Sequence, residues 1–206
     1  MQVLVSRLRF ESILFGNAQD AKAAVVYLHG KGGFGSGATG QFEWPGMATL
    51  LYQREIRPSL PVFIACALDG ERYQIDTLIQ YLDELKQTFG LQQLHIIAYS
   101  RGGLAAYQLA ERGYPLASAT IINANCPPTS AHSQCLGPIS RFQCPLHIVQ
   151  SEDDDRVDVA AVNAFVTEYE GELIYTRWAG NHYIIAEILH DQTLWQWIED
   201  IPSQTD

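Results

Sequence analysis

The sequence predicts an α/β protein: a mostly parallel, doubly wound sheet with helices on both faces, formed as one domain over residues 1–206. Three observations carry this reading. Short continuous apolar runs, such as AAVVYL at 23–28 and LHIIA at 94–98, have the composition of strands buried on both faces. These runs alternate with longer stretches in which apolar residues recur every three or four positions, the mark of amphipathic helices. The composition, 47% hydrophobic and 17% charged, suits a chain that buries a sizeable core rather than a disordered one.

Taken in order, residues 2–10 read as a first strand, with Val3, Val5 and Leu8 apolar. The run 23–28 is the next strand and leads into HGKGGFGSG at 29–37, a loop crowded with glycine. That loop fits neither phosphate-binding template: G-x-x-x-x-G-K-[ST] is absent, and no acidic residue stands suitably on a following strand. Residues 41–52 predict a helix with Pro45 near its first turn, and 61–67 (PVFIACA) a strand. In 73–89 the positions Ile75, Leu78, Ile79, Leu82 and Leu85 define one apolar helix face, which Gly90 ends. Further strands are expected at 94–98, 119–122, 146–150 and 173–178, with helices from Arg101, over 158–169 and over 182–198. Residues 123–142, with Pro127, Pro128, Gly137 and Pro138, read as a loop. There is no internal repeat and no low-complexity linker.

The net charge of −10 argues against nucleic acid as a partner, since phosphate binding needs clustered Lys and Arg and none occurs. No uninterrupted apolar stretch has the length of a membrane span, and the opening MQVLVSRLRFESILF is broken by Ser6, Arg7, Arg9 and Glu11. A cytoplasmic protein without membrane attachment is therefore expected. The cysteines Cys66, Cys126, Cys135 and Cys144 lack metal-site spacing, so no metal is expected, and that location favours free thiols, although Cys126 and Cys144 could pair.

The stretch LHIIAYSRGGL at 94–104 organises the rest: a buried strand turns almost without loop into a helix, and Ser100 sits at the corner. Such a turn strains the backbone and needs small neighbours, here Ala98 and Gly102. The bland alternative is a serine that simply caps the helix. Ala98-Tyr99-Ser100-Arg101-Gly102 resembles G-x-S-x-G, the nucleophile elbow of the α/β-hydrolase family, with Ala98 replacing the first glycine.

A serine hydroxyl needs a base, a group that orients the base, and donors for an oxyanion. Functional groups of doubly wound sheets gather at the carboxyl ends of strands. Of six histidines, His95 and His147 lie within strands, His190 within a helix, and His132 in a proline-rich loop. His29 leads into the glycine loop and in the family helps shape it. His182 directly follows the last strand and opens the last helix, which makes it the candidate base. After the strand 146–150 comes Ser151-Glu152-Asp153-Asp154-Asp155-Arg156-Val157. Read alone, this is a solvated acidic turn. In the family the acid lies in a pattern like G-x-x-D-x-x-V, which points to Asp154, three before an inward-packing Val157, with Asp153 and Asp155 as alternatives. The chain order Ser100, Asp154, His182 is that of the family.

The resemblance, which covers roughly residues 25–198, also implies an oxyanion hole from the N–H groups of Arg101 and Lys31, with Gly32 next to them at the substrate. The interval 123–144 is too short for a cap domain, so an open site is expected, like those of compact carboxylesterases, thioesterases and dienelactone hydrolases. Tyr99, Phe34, Trp44, Trp178 and Tyr183 are candidates to line an acyl pocket. The implied activity is hydrolysis of small carboxylic esters or thioesters without a cofactor. The alternatives are a peptidase, since Ser100-Arg101-Gly102-Gly103 also reads S-x-G-G, and a non-catalytic binding protein that keeps the fold.

Overall fold

Along the strand Gln93–Tyr99, alternate residues face opposite layers: Leu94, Ile96 and Ala98 pack into one apolar cluster, and Ile97 and Tyr99 into another. A strand apolar on both faces is stable only between two layers of helix, and this holds throughout the centre of the sheet. The computed structural model describes residues 1–5, 10–43, 46–67, 72–125 and 142–202. Trp44, Pro45, Cys126, His132 and Cys135 lie outside these, as does most of the interval 123–144.

Among the described residues eight strands form one sheet: β1 (Gln2–Val5), β2 (Phe10–Phe15), β3 (Ala23–Leu28), β4 (Val62–Ala67), β5 (Gln93–Tyr99), β6 (Ser118–Ile122), β7 (Leu146–Ser151) and β8 (Leu173–Trp178). Their spatial order is β1-β2-β4-β3-β5-β6-β7-β8. β2 runs opposite to the other strands described, pairing antiparallel with both β1 and β4. The helices are α1 (Gly37–Gly40), α2 (Met47–Gln53), α3 (Ile75–Phe89), α4 (Arg101–Glu111), α5 (Val159–Glu168), α6 (Ile185–His190) and α7 (Gln192–Glu199). On one face, Leu78, Leu82, Tyr107 and Phe165 of α3, α4 and α5 pack on the sheet. On the other, Met47, Leu50, Ile188 and Trp195 of α2, α6 and α7 do so. Among the described residues no helix is long and apolar enough to cross a membrane.

The structure corrects three sequence expectations. The first strand is not one run over 2–10 but a pair, β1 and β2, and β2 went unrecognised because Glu11 and Ser12 interrupt its apolar pattern. Both polar groups have partners: Glu11 Oε2 accepts from Ala38 N–H at 2.7 Å, and Ser12 Oγ bonds Tyr81 Oη inside the core. The helix expected from residue 41 starts at Met47. The final helix is split, because the Asp191 carboxylate accepts from Thr193 N–H at 2.9 Å and caps α7, which restarts the helix at Gln192. Cys66 and Cys144 are buried free thiols, which burial pushes up to about 12.

Three buried histidines tie stability to pH. His29, His95 and His147 are 4%, 2% and 7% exposed, and burial lowers each from its ordinary 6.5 to about 4. Above pH 6.5 each is neutral both folded and unfolded, and none contributes to the pH dependence. As pH falls from 6.5 towards 4, the unfolded chain takes up protons that the native chain refuses, and stability is lost. Each histidine contributes a slope of up to about 1.4 kcal/mol per pH unit. Urea midpoints should therefore hold steady from pH 8 to about 7 and fall steeply through the window below 6.5. A flat profile down to about pH 4.5 would contradict the buried, neutral state of these rings.

Candidate active site

Ser100 stands between β5 and α4 with φ 52° and ψ −114°, a strained conformation for a residue with a side chain. The turn is possible because α4 approaches β3 very closely at Gly102, where a Cβ would lie 2.1 Å from the Leu28 carbonyl oxygen. The Ser100 hydroxyl makes no capping bond to α4. Instead Ser100 Oγ lies 3.0 Å from His182 Nε2. On the far side of the ring, His182 Nδ1 lies 2.9 and 3.0 Å from the two oxygens of Asp154. An Nδ1–H that donates to the carboxylate leaves Nε2 as an acceptor for the serine proton.

The acid is held from several sides. Asp154 Oδ1 accepts from Arg156 N–H at 2.8 Å and Val157 N–H at 3.0 Å, and Oδ2 accepts from Gln150 Nε2 at 3.2 Å. Its side chain is fully buried, so these donors are what makes a charge tolerable there. Val157 packs inward at 7% exposure and shapes the turn. The neighbouring acids have other contacts: Asp153 N–H donates to the Gly180 carbonyl, while Asp155 pairs with Arg156 on the surface. The first of these bonds ties the acid turn to the turn carrying the base. His182 does not open a helix, as expected from sequence, but lies in that turn ahead of α6.

The glycine loop folds as a short 3₁₀ turn, Lys31–Gly33. Its carbonyls turn inward: Gly30 O accepts from His29 Nδ1–H at 2.8 Å and from Gly33 N–H, and Gly33 O accepts from Ser36 Oγ and Gln41 Nε2, each at 3.0 Å. The amides of Lys31 and Gly32 precede the first bond of the turn and so have no acceptor within it. A Cβ on Gly30 would fall 3.0 Å from the Tyr99 ring and 3.3 Å from Ser100 Cβ, so the loop passes directly over the elbow. Arg101, first residue of α4, lies at the positive end of the helix dipole.

With this geometry in hand, comparison with known proteins is direct. The family model for the alpha/beta hydrolase fold matches residues 25–141. The chain belongs to the alpha/beta hydrolase fold family. A carboxylesterase from Bacillus cereus is similar in structure, with TM-score 0.68 at 15% identity over 94% of this chain and 95% of that one. So is an alpha-beta serine hydrolase homologue from Coxiella burnetii, with TM-score 0.66 at 14% identity over 96% and 94%. A type II thioesterase from the borrelidin biosynthetic cluster gives TM-score 0.63 at 16% identity over 96% and 97%. Likenesses at such identity concern the fold. No curated protein sequence matches.

Within this alpha/beta hydrolase the residues singled out from sequence separate into two groups. Ser100, His182 and Asp154 converge, Arg101 follows Ser100 as the first residue of α4, and the loop that carries Lys31 and Gly32 meets the elbow at Gly30. Tyr99 and Tyr183 flank the base, each ring centroid 5.3 Å from that of His182. The Tyr99 hydroxyl donates to the His182 carbonyl at 2.8 Å, so its polar end faces the base's backbone rather than a substrate. Burial foremost, with the Asp154 charge beside it, raises Tyr99 above the usual tyrosine range and keeps it a donor. Tyr183 is 58% exposed and remains available at the mouth. Phe34 and Trp178 are partly buried and pack against the core clusters. His190 is an exposed helix residue bonded to Glu55. Sequence reasoning missed Asn123 and Gln150, two buried amides at the carboxyl ends of β6 and β7. An amide directly after a buried strand, or inside one, was the available signal.

Proposed function

We propose that this chain is a serine hydrolase of small carboxylic esters and thioesters, working through Ser100, His182 and Asp154. The observation that carries the reading is the continuous relay from Ser100 Oγ to His182 Nε2 at 3.0 Å and from His182 Nδ1 to Asp154 at 2.9 Å. Ser100 Oγ attacks the acyl carbonyl while His182 Nε2 takes its proton. Asp154, ionised, stabilises the imidazolium and keeps the ring in the productive tautomer. The Lys31 and Arg101 N–H groups, with Gly32 beside them, hold the oxyanion of the tetrahedral intermediate. His182 then passes its proton to the departing alcohol or thiol, leaving an acyl-serine. Water, deprotonated by the same ring, attacks that ester, and Ser100 regains its proton as the acid leaves. Tyr183 and Gly32 contact the substrate at the mouth.

Two observations support hydrolysis of small substrates, and a substrate panel separates esters and thioesters from amides. Membership of the alpha/beta hydrolase fold family supports hydrolysis as the reaction class. The short interval between β6 and β7 leaves no length for a cap, so the site stays open to small substrates. A panel of p-nitrophenyl esters of rising chain length, acyl thioesters and the matching anilides tests the preference. Esters and thioesters should turn over with kcat/KM at least about 100-fold above the anilides. Anilide turnover equal to ester turnover would favour the peptidase, and a folded protein inert to the whole panel would contradict the proposal.

A further inference from the structure

His182 lies in a turn rather than a helix, so no helical ladder fixes its backbone. Its ring is held at one edge by Asp154, but an imidazole can keep that bond while its Cα drifts and Nε2 swings away from Ser100. What fixes the backbone is visible at the His182 carbonyl. That oxygen accepts from Tyr99 Oη at 2.8 Å and from Asn123 Nδ2 at 3.0 Å.

Asn123 is specialised for this place. It is fully buried and sits at the end of β6 with φ 47°, a left-handed conformation that asparagine tolerates better than most residues. Its backbone N–H donates to Val149 O at 3.0 Å. Its side-chain Oδ1 accepts from Ser151 N–H at 2.8 Å, and Nδ2 donates to Ser151 Oγ at 2.8 Å as well as to His182 O. The Ser151 N–H requires an acceptor and the His182 carbonyl a donor, so the orientation of the amide is fixed by its partners. One side chain thus joins the end of β6, the end of β7 from which the acid turn departs, and the turn carrying the base.

We propose that the main-chain carbonyl of His182 is the anchor that sets the base, and that Asn123 and Tyr99, both donating to it, are positioning residues of the reaction. This rests on the reading of Ser100 and His182 as nucleophile and base. Neither residue touches the reacting atoms. Both act by keeping Nε2 in line with Ser100 Oγ.

Two variants probe the anchor from different sides. Asn123→Asp keeps shape, the left-handed backbone and the Ser151 N–H bond, but puts an acceptor against the His182 carbonyl. Tyr99→Phe removes the other donor and keeps the ring. Misplacement of the base on this scale should lower kcat by about 10- to 100-fold in Asn123→Asp, and by about tenfold in Tyr99→Phe. KM should stay within about twofold in both, since substrate contacts are untouched. In proton NMR, the downfield His182 Nδ1–H resonance should shift or broaden while the remaining spectrum stays folded. Ser12→Ala, which breaks the remote bond to Tyr81, supplies the comparison of a protein destabilised elsewhere. Wild-type kcat and an unmoved Nδ1–H signal in Asn123→Asp would overturn the anchor. So would a loss of kcat that Ser12→Ala reproduces at equal loss of melting temperature. If wild type itself fails to hydrolyse esters, the parent reading falls, and the NMR signal still decides whether the carbonyl bonds position His182.

Discussion

Ser100→Ala should lower kcat on the best p-nitrophenyl ester by about 10⁴- to 10⁶-fold and leave the melting temperature close to wild type. The size of the effect follows from the geometry. The hydroxyl is the only group of the elbow bonded to His182 Nε2, at 3.0 Å, and without it no acyl-enzyme forms. Stability should hold because the Ser100 side chain caps no helix and is only half-buried. Its backbone strain is imposed by neighbours, through the Ser100 N–H bond to Ile122 O at 2.9 Å and the contact of Gly102 with β3. His182→Ala should cost a similar factor, and the double variant hardly more than either alone, because the residues act as one unit. Additive losses would mean that Ser100 and His182 work independently, which the proposed relay forbids.

Asp154→Asn should be nearly as damaging, lowering kcat by about 10³- to 10⁴-fold with KM little changed. The surroundings determine which way the new amide faces. Arg156 N–H and Val157 N–H both donate to Oδ1, so the amide oxygen stays on that side. The Nδ2 of the variant then takes the Oδ2 position, the shorter of the two contacts at 2.9 Å from His182 Nδ1, where it donates instead of accepting. Oδ1, at 3.0 Å from Nδ1, is already engaged by two backbone N–H groups. His182 answers by moving its proton to Nε2, which then faces Ser100 as a donor and cannot take the hydroxyl proton. The same Nδ2 also meets Gln150 Nε2, donor against donor, so some stability should be lost as well. Near-normal kcat in a folded Asp154→Asn would remove Asp154 from the relay.

Much of this architecture was legible in the chain, and the reason differs from element to element. β3 runs over the residues that its apolar run marked, β5 differs from its reading only at the ends, and β8, a partly exposed edge strand, keeps its expected bounds as well. Buried parallel strands must be apolar on both faces, so their composition alone is informative. β2 was opaque because it carries a partly buried Glu11 and a buried Ser12, satisfied by partners far along the chain, Ala38 and Tyr81. The break between α6 and α7 hid behind apolar periodicity that continues across Asp191. The three residues of the relay could be found because each follows a strand, where a doubly wound sheet exposes its functional groups. Asn123 and Gln150 also stand at strand ends, but an amide there has no chemistry of its own to single it out. Their roles come from where the ends of β6 and β7 lie side by side, a relation between segments that no local pattern encodes.

The most direct test of the central claim is labelling with a fluorophosphonate probe, with the modified peptide identified by mass spectrometry. Wild type should carry a single adduct, on the Ser100 hydroxyl, with none in Ser100→Ala and slowed labelling in Asp154→Asn. A folded wild-type protein that takes no label, or takes it at another residue, would contradict Ser100 as an activated nucleophile.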